Sequence, residues 1–214
     1  MPVFELTDEL IFPPVDLAEP DGLLAYGGDL TAERLLLAYS EGIFPWYDEP
    51  PILWWSPDPR FVLFPDELRI SSSMKQVLKK GIFTITMNKD FPGVIAGCRH
   101  IPRPGQDGTW ITPDVEEAYI SLHKAGYAHS VECWQQDKLV GGFYGIQLGS
   151  NFFGESMFSL VSNASKAAFI TFVMYAKEKG LGMIDCQVYT DHLASLGARM
   201  IPRDEFLERV KGGE

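Results

Sequence analysis

Residues 152–198 hold the side chains of this chain with the clearest chemical potential. A carboxylate, Asp185, and a carboxamide, Gln187, stand two positions apart in the otherwise apolar run Ile-Asp-Cys-Gln-Val. Residues two apart on a β-strand point to one face of the sheet, so the two polar groups would lie side by side. This pattern predicts an active site, and a hydrogen-bonded structural pair at a strand end is the alternative.

Glu155 is the second candidate, in the run Gly-Glu-Ser-Met-Phe-Ser. On a strand it would face the same way as Met157 and Ser159, and away from Ser156 and Phe158. A carboxylate among apolar neighbours is either part of a site or the partner of a buried ion pair. Both interpretations stay open at this point.

Composition and charge favour one modest soluble enzyme. The chain has 214 residues, of which 46% are hydrophobic and 22% charged, so it can bury a substantial core. Its three widely spaced cysteines predict reduced thiols rather than a disulfide framework or a metal site. The net charge of −11 argues against indiscriminate nucleic-acid binding and suits a cationic substrate. A local basic patch is still expected from three lysines, Lys75, Lys79 and Lys80, for which a solvated helix face is the alternative.

Targeting signals are not evident in the sequence. Met1–Pro14 carries acidic residues and no basic region, unlike a secretory signal peptide. The longest apolar stretch, 167–176, is much shorter than the roughly 18–20 residues that cross a bilayer. We therefore expect a cytoplasmic protein with no membrane partner.

The predicted organisation is a small, irregular N-terminal domain, 1–60, followed by a larger domain, 61–214. Most prolines precede Arg60, and only one helix is clearly signalled there, from about Ala32 to Glu41 with Thr31 as its N-cap. In the larger domain we expect strands at 60–64 and 83–88, a helix at 74–80, and a capped helix that begins at Pro113.

The last part of the chain indicates the fold class. Three strands at about 129–135, 139–148 and 151–159 should form an antiparallel meander. A helix at 166–179 would then cross over to a parallel strand at 182–188, followed by a short helix at 191–196. This order predicts an α+β fold, a mixed sheet flanked by helices that resembles the acetyltransferase-like (GNAT-like) fold.

Eight short motifs, in order along nearly the whole chain, resemble one family, leucyl/phenylalanyl-tRNA-protein transferase. Four precede residue 113: Gly-Gly-Asp-Leu at 27–30, Gly-Ile-Phe-Pro-Trp at 42–46, Leu-Trp-Trp-Ser-Pro-Asp-Pro-Arg at 53–60 and Gly-Thr-Trp-Ile-Thr at 108–112. Four follow: Ala-His-Ser-Val-Glu at 128–132, Gly-Glu-Ser-Met-Phe-Ser at 154–159, Asn-Ala-Ser-Lys at 163–166 and Asp-Cys-Gln-Val at 185–188. Their joint occurrence at matching separations is far more specific than any one of them.

The resemblance implies transfer of leucine or phenylalanine, with methionine as a further candidate, from aminoacyl-tRNA to a protein with N-terminal Arg or Lys. The product would carry a destabilising N-terminus under the N-end rule. An aminoacyl ester is already activated, so the enzyme needs to position it against the amine and to manage one proton. No metal or organic cofactor is expected.

The resemblance also implies roles for individual residues. Asp185 would act as the base or as an electrostatic anchor for the incoming ammonium, Gln187 would orient the amine or polarise the ester, and Glu155 would contact the aminoacyl-adenosine or hold the site together. Five apolar residues match positions that line the family's side-chain pocket: Phe143, Phe152, Met157, Phe172 and Ile184. Four aromatic residues would contact the terminal adenosine, two by stacking and two through hydroxyls: Trp46 and Trp110, and Tyr39 and Tyr119.

Two other functions remain as alternatives. The fold alone would favour an acyl-CoA-dependent N-acetyltransferase, but such enzymes hold pyrophosphate with a Gly-rich loop before the crossover helix. Here that loop, 160–165, contains no glycine. A noncatalytic tRNA-binding or peptide-binding module is disfavoured because Glu155, Asp185 and Gln187 are all present.

Overall fold

The computed structural model describes residues 3–101 and 109–213 and contains two β-sheets. The smaller, four-stranded sheet is built from residues near the N-terminus: β1 (Phe4–Leu6), β2 (Leu23–Gly27), β3 (Phe44–Pro45) and β4 (Leu53–Trp55). Its strand order is β1-β2-β4-β3, with β1 parallel to β2 and the other pairs antiparallel. Helix α1 (Ala32–Ser40) connects β2 to β3, and Thr31 caps it by accepting from the amide of Arg34.

The larger, seven-stranded sheet carries the predicted meander and crossover. Its strands are β5 (Arg60–Leu63), β6 (Thr84–Met87), β7 (Ala128–Gln135), β8 (Lys138–Leu148), β9 (Asn151–Ser159), β10 (Met183–Gln187) and β11 (Arg199–Ile201). They lie in the order β11-β5-β10-β9-β8-β7-β6. Strands β7, β8 and β9 are antiparallel neighbours, and β10 runs parallel to β9 as expected.

Helices flank this sheet on the connections that the sequence predicts. They are α2 (Ser72–Lys79), α3 (Phe91–His100), α4 (Pro113–Lys124), α5 (Ala164–Glu178), α6 (Asp191–Ser195) and α7 (Arg203–Gly212). Helices α2, α4 and α6 each begin after a Ser or Thr whose side chain accepts a backbone N–H of the first turn. Helix α5 is the crossover between β9 and β10, and it buries nine of its side chains.

The sheet order and the flanking helices confirm the predicted α+β class with a mixed sheet. The elements missed by sequence analysis are the short strands β1 to β4, the edge strand β11 and helix α7. The strands have only two to five residues, and the helix has a mostly polar surface. Helix α3 ends at His100, and residues 102–108 lie outside the described residues. Within the described ranges, no helix has the length and apolar character to span a membrane.

The two sheets meet in a shared apolar core rather than in separate ones. One buried cluster includes Leu24 and Trp54 of the smaller sheet together with Tyr144 and Phe153 of the larger. A second cluster lies between the larger sheet and α5. The proposed domain boundary near residue 60 therefore stays a prediction, although β4 and β5 do lie in different sheets.

Gly145 marks the place where β8 changes register against β9. A Cβ at this position would lie 2.2 Å from the carbonyl oxygen of Phe153 and 2.6 Å from the ring of Phe152. We predict that Gly145→Ala lowers the free energy of unfolding by about 1–3 kcal/mol, because backbone and ring must move to admit the methyl group. Urea denaturation measures the change.

Gly212→Ala is the matched control for this substitution, because an added Cβ would meet nothing within 4 Å at that helical position. It should stay within about 0.5 kcal/mol of the wild type. Equal stability of the two variants would contradict the close packing at Gly145.

Candidate active site

A buried ion pair between Arg60 and Asp185 lies at the base of the candidate site. Asp185 is fully buried and Arg60 is 1% exposed. The guanidinium donates from Nε to Oδ1 over 2.9 Å and from Nη2 to Oδ2 over 2.7 Å. This two-point contact fixes the carboxylate in charge and in orientation.

Gln187 is placed by an unusual backbone conformation. Its φ of +63° lies in the left-handed region, and the register between β10 and β5 shifts between Asp185 and Gln187. The backbone N–H of Gln187 donates to Oδ1 of Asp185 over 2.9 Å, which favours this turn. Thus the predicted pair is together, but a hydrogen-bonded bulge places it rather than simple strand alternation.

Glu155 joins this pair through the carboxamide. Gln187 Nε2 donates to Glu155 Oε1 over 3.0 Å. The hydroxyls of Tyr39 and Tyr119 also contact the carboxyl group, at 2.7 Å from Oε1 and 3.0 Å from Oε2. Burial raises the pKa of Glu155 to about 7, against the opposing effect of these hydrogen bonds, and the nearby charge of Asp185 adds to the rise.

These groups border a cavity of about 480 Å³ that is lined by β3 of the smaller sheet and by β8, β9 and β10 of the larger sheet. Glu155, Asp185 and Gln187 are among its polar residues, and the others are Ser156, Ser165, Thr190 and His192. Its apolar part includes three of the five predicted pocket residues, Phe143, Met157 and Ile184, and also two that were not predicted, Phe169 and Leu193. An apolar cavity with a few convergent polar groups is the usual form of a small-ligand site.

Two predicted pocket residues, Phe152 and Phe172, lie behind this wall. Phe152 is fully buried and Phe172 is 2% exposed, and neither borders the cavity. Both pack edge-on against Phe143, with ring centroids 6.2 and 5.4 Å away. Direct substrate contact by these two stays a prediction, and in this structure they support Phe143 from behind.

The four aromatic residues predicted for adenosine divide into two groups. Trp46, 41% exposed, and Trp110 both border the cavity, as a stacking role requires. Tyr39 and Tyr119 are fully buried and their hydroxyls are occupied with Glu155 and with each other. Substrate contact by these two tyrosines stays a prediction, and in this structure their hydroxyls face Glu155 instead of the cavity.

The three lysines of the predicted basic patch are exposed, with Lys75 and Lys79 on α2 and Lys80 at its C-terminal cap. No ion pair with an acidic side chain involves them among the residues that the structure describes. They lie outside the residues that border the cavity. Contact with a bound polynucleotide away from the site stays a prediction.

Arg60 is the functional residue that sequence reasoning missed. Its signal was available, since it is a lone cation at the start of the apolar strand Arg-Phe-Val-Leu, in one of the eight motifs. His192 of α6 also borders the cavity.

Comparisons with known proteins find one family along most of the chain. The family model described as leucyl/phenylalanyl-tRNA protein transferase matches residues 62–211, and the model of that family's N-terminal domain matches 28–58. A leucyl/phenylalanyl-tRNA–protein transferase of Syntrophus aciditrophicus is 57% identical over 99% of this chain and 89% of its own length. One from Flavobacterium johnsoniae is 57% identical over 98% of this chain and 99% of its own.

Among solved structures, a GCN5-related N-acetyltransferase from Kribbella flavida aligns with a TM-score of 0.35 at 11% identity. The alignment covers 78% of this chain and 59% of that one.

The Arg60–Asp185 pair yields a stability prediction. We expect Arg60→Met to lower the free energy of unfolding by roughly 3–5 kcal/mol, because it leaves a buried carboxylate without its counter-charge. The double variant Arg60→Met with Asp185→Asn should recover part of this loss, since no charge then stays buried. Urea denaturation at neutral pH measures both.

Arg199→Met is the control, because it breaks a two-point contact with Glu67 in which both side chains are more than 40% exposed. An exposed pair contributes about 0–1 kcal/mol. If Arg60→Met and Arg199→Met lower the free energy of unfolding equally, burial does not determine how much the Arg60–Asp185 pair contributes to stability.

Proposed function

This chain belongs to the leucyl/phenylalanyl-tRNA–protein transferase family, and we propose that it moves leucine or phenylalanine from aminoacyl-tRNA to N-terminal Arg or Lys. As a member of that family it is an aminoacyltransferase whose substrates are an aminoacyl-tRNA and a protein. The observation that carries the finer proposal is the cavity, in which an apolar wall meets Gln187, Glu155 and Asp185. Marking of the acceptor for degradation and a cytoplasmic location belong to the same proposal.

The reaction requires little covalent assistance. The neutral α-amine attacks the carbonyl carbon of the aminoacyl ester, a C–N bond forms, and the C–O bond to the terminal ribose breaks. One proton leaves the amine and one arrives on the ribose oxygen that departs. Because an α-amine has a pKa near 7.7–8.0, part of the acceptor is already neutral at physiological pH. Correct placement of amine and ester then supplies most of the acceleration.

Gln187 is the residue best placed to orient the amine. Its side-chain Nε2 donates to Glu155, which orients the carboxamide. The side-chain oxygen Oε1 can then accept a hydrogen bond from a substrate. Since Gln187 borders the cavity, that acceptor can receive an N–H of the attacking amine. Such a contact would aim the nitrogen lone pair at the ester.

Asp185 acts as an electrostatic anchor rather than as the base. Its oxygens accept hydrogen bonds from the Arg60 guanidinium and from the backbone N–H of Gln187. These contacts hold the carboxylate in one place. The negative charge would favour the positive nitrogen that forms as the amine attacks. The departing ribose oxygen is then the final acceptor of a proton.

The apolar wall suits the side chain that is transferred. Phe143, Met157, Phe169 and Ile184 would surround a leucine or phenylalanine, and a methionine could enter the same space. Trp46 and Trp110 would stack on the terminal adenine, a contact worth roughly 1–3 kcal/mol per base. The lysines of α2 would contact tRNA phosphates at a distance from the cavity.

The crossover helix argues against acyl-CoA as the donor. Helix α5 begins at Ala164 after Asn163, whose φ is +70°, and the preceding loop has no glycine to bring several amides to a pyrophosphate. The N-acetyltransferase alternative thus lacks its usual phosphate site.

The proposal predicts that Gln187→Ala lowers kcat for transfer roughly hundredfold, because one polar contact to the reacting group is lost. The assay incubates the protein with labelled Leu-tRNA or Phe-tRNA and a peptide with N-terminal Arg, and separately with labelled acetyl-CoA. Gln147→Ala is the control, since Gln147 lies at the end of β8 outside the cavity and its side chain donates to the carbonyl oxygen of Gly149.

Peptides with N-terminal Lys, with N-terminal Asp and with an acetylated Arg complete the assay. We expect transfer to Arg and Lys and none to the acetylated peptide, which has no nucleophile. Label transfer from acetyl-CoA alone would refute the proposal, and transfer to Asp but not to Arg would refute the acceptor class.

The α2 lysines yield a separate prediction. Reversal of Lys75, Lys79 and Lys80 to Glu should weaken tRNA binding and reduce the slope of log affinity against log salt by roughly 2–3, because each phosphate contact contributes about 0.7–0.9. Reversal of Lys124, Lys138 and Lys211 makes the same change in net charge on other exposed elements. If the two triple variants have equal slopes, the α2 lysines are only a solvated helix face.

A further inference from the structure

Four oxygen atoms beneath Gln187 form a closed ring. Tyr39 Oη lies 2.5 Å from Tyr119 Oη and 2.7 Å from Glu155 Oε1, and Tyr119 Oη lies 3.0 Å from Glu155 Oε2. All three contacts between different residues are within hydrogen-bond distance. Each residue belongs to a different element: Tyr39 to α1, Tyr119 to α4 and Glu155 to β9.

The ring needs three protons, one for each contact. The two phenols supply only two, because each hydroxyl carries one hydrogen. If both phenols donate to an ionised carboxylate, the 2.5 Å contact between them has no proton. If one phenol donates to the other instead, one carboxylate oxygen faces a phenol oxygen with no proton between them.

A proton on Glu155 Oε2 completes the ring. The carboxylic acid then donates to Tyr119, Tyr119 donates to Tyr39, and Tyr39 donates to Oε1. Oε1 keeps its carbonyl character and also accepts from Gln187 Nε2. Every oxygen atom of the ring is thereby satisfied.

We propose that Glu155 is a neutral carboxylic acid in the working enzyme, closing a three-proton ring with Tyr39 and Tyr119 that holds the Gln187 carboxamide for aminolysis. The role for Gln187 rests on the proposed function, whereas the protonation state does not. Tyr39 and Tyr119 are positioning residues that act through Glu155.

The charges around the ring favour the neutral acid. Asp185 on β10, fixed as an anion by Arg60 on β5, disfavours a second negative charge next to it, and burial does the same. Among the residues that the structure describes, the other titratable groups that face the ring or its cavity are Tyr144 of β8 beside Tyr119, the thiol of Cys186 on β10, and His192 of α6 with Lys166 of α5 near it. With its pKa raised to about 7, Glu155 is mostly protonated at pH 6 and about half protonated at pH 7.

Ionisation of Glu155 would therefore disturb Gln187. With only two protons left, one pair of ring oxygens becomes two facing acceptors, and the carboxyl group or a phenol must move. Transfer should then fall as the pH rises through about 7, opposite to the gain expected from deprotonation of the substrate amine.

Infrared spectroscopy of the free protein tests the protonation state without any substrate. We expect a carboxylic-acid carbonyl band at pH 6 that is absent in Glu155→Gln and shifted in Tyr119→Phe, because that acid loses its acceptor. Tyr127→Phe, an exposed tyrosine outside the ring, is the matched control and should leave the band in place. If wild type and Glu155→Gln have the same acid bands at pH 6, the proposal is overturned.

Stability against pH provides a second readout. Because the folded-state pKa of Glu155 is raised above its ordinary value of 4.5, its contribution is fully present below that pH and is lost as the pH rises toward about 7. The urea midpoint of the wild type should thus fall relative to that of Glu155→Gln over this window. Midpoints that stay parallel from pH 4.5 to 8 would count against a protonated Glu155.

Kinetics test the positioning role. Tyr39→Phe and Tyr119→Phe should each lower kcat about tenfold, the equivalent of one lost hydrogen bond, with little change in KM for aminoacyl-tRNA. The profile of Glu155→Gln should lack the fall above about pH 7 that the wild type and Tyr127→Phe show. A persistent fall in Glu155→Gln would refute the ring, whereas an absence of all transfer with the infrared band intact would refute only the proposed function.

Discussion

The buried contact between Arg60 and Asp185 is the constraint on which the site depends. Removing two charges from water is costly, and a two-point contact alone rarely offsets it. Here the guanidinium also lies over two aromatic rings, Phe44 of the smaller sheet and Phe206 of α7, each 4.6 Å from its central carbon. The pair therefore ties the larger sheet to β3 and to the last helix, and the cavity borders this junction.

An anion fixed at Asp185 determines the state of its neighbours. It accepts a hydrogen bond from the backbone N–H of Gln187 and so stabilises the left-handed backbone conformation of that residue at the end of β10. Without such support this conformation costs of order 1–3 kcal/mol. It also makes a second anion at Glu155 unfavourable. The two carboxyl groups of one site thus differ in charge: Asp185 is an anion that serves as an anchor, and Glu155 is a neutral acid that donates a hydrogen bond.

The fold was more predictable than the contacts of the site. Periodicity and caps located β7 to β10 and α4 to α6 because long elements bury a regular face, whereas β1 to β4 are too short to show one. The polar pair was found by its type, but the bulge that joins Gln187 to Glu155 depends on a hydrogen bond invisible in a linear pattern. Tyr39 and Tyr119 are 80 residues apart, so no local rule could place their hydroxyls together under Glu155.

The apolar wall explains how one cavity could accept both a branched and an aromatic side chain. Phe143 is held edge-on by three other rings, those of Phe152, Phe169 and Phe172, and cannot move without disturbing the core under α5. Met157 is only partly buried on the cavity's border, and its unbranched side chain adopts several conformations at low cost. A rigid ring on one side sets the maximum width of the guest, and a flexible thioether on the other fills the space that a smaller guest leaves. Selection would then rest on size and hydrophobicity, a discrimination of only about 1–3 kcal/mol per methylene, which suits an enzyme that takes more than one aminoacyl group.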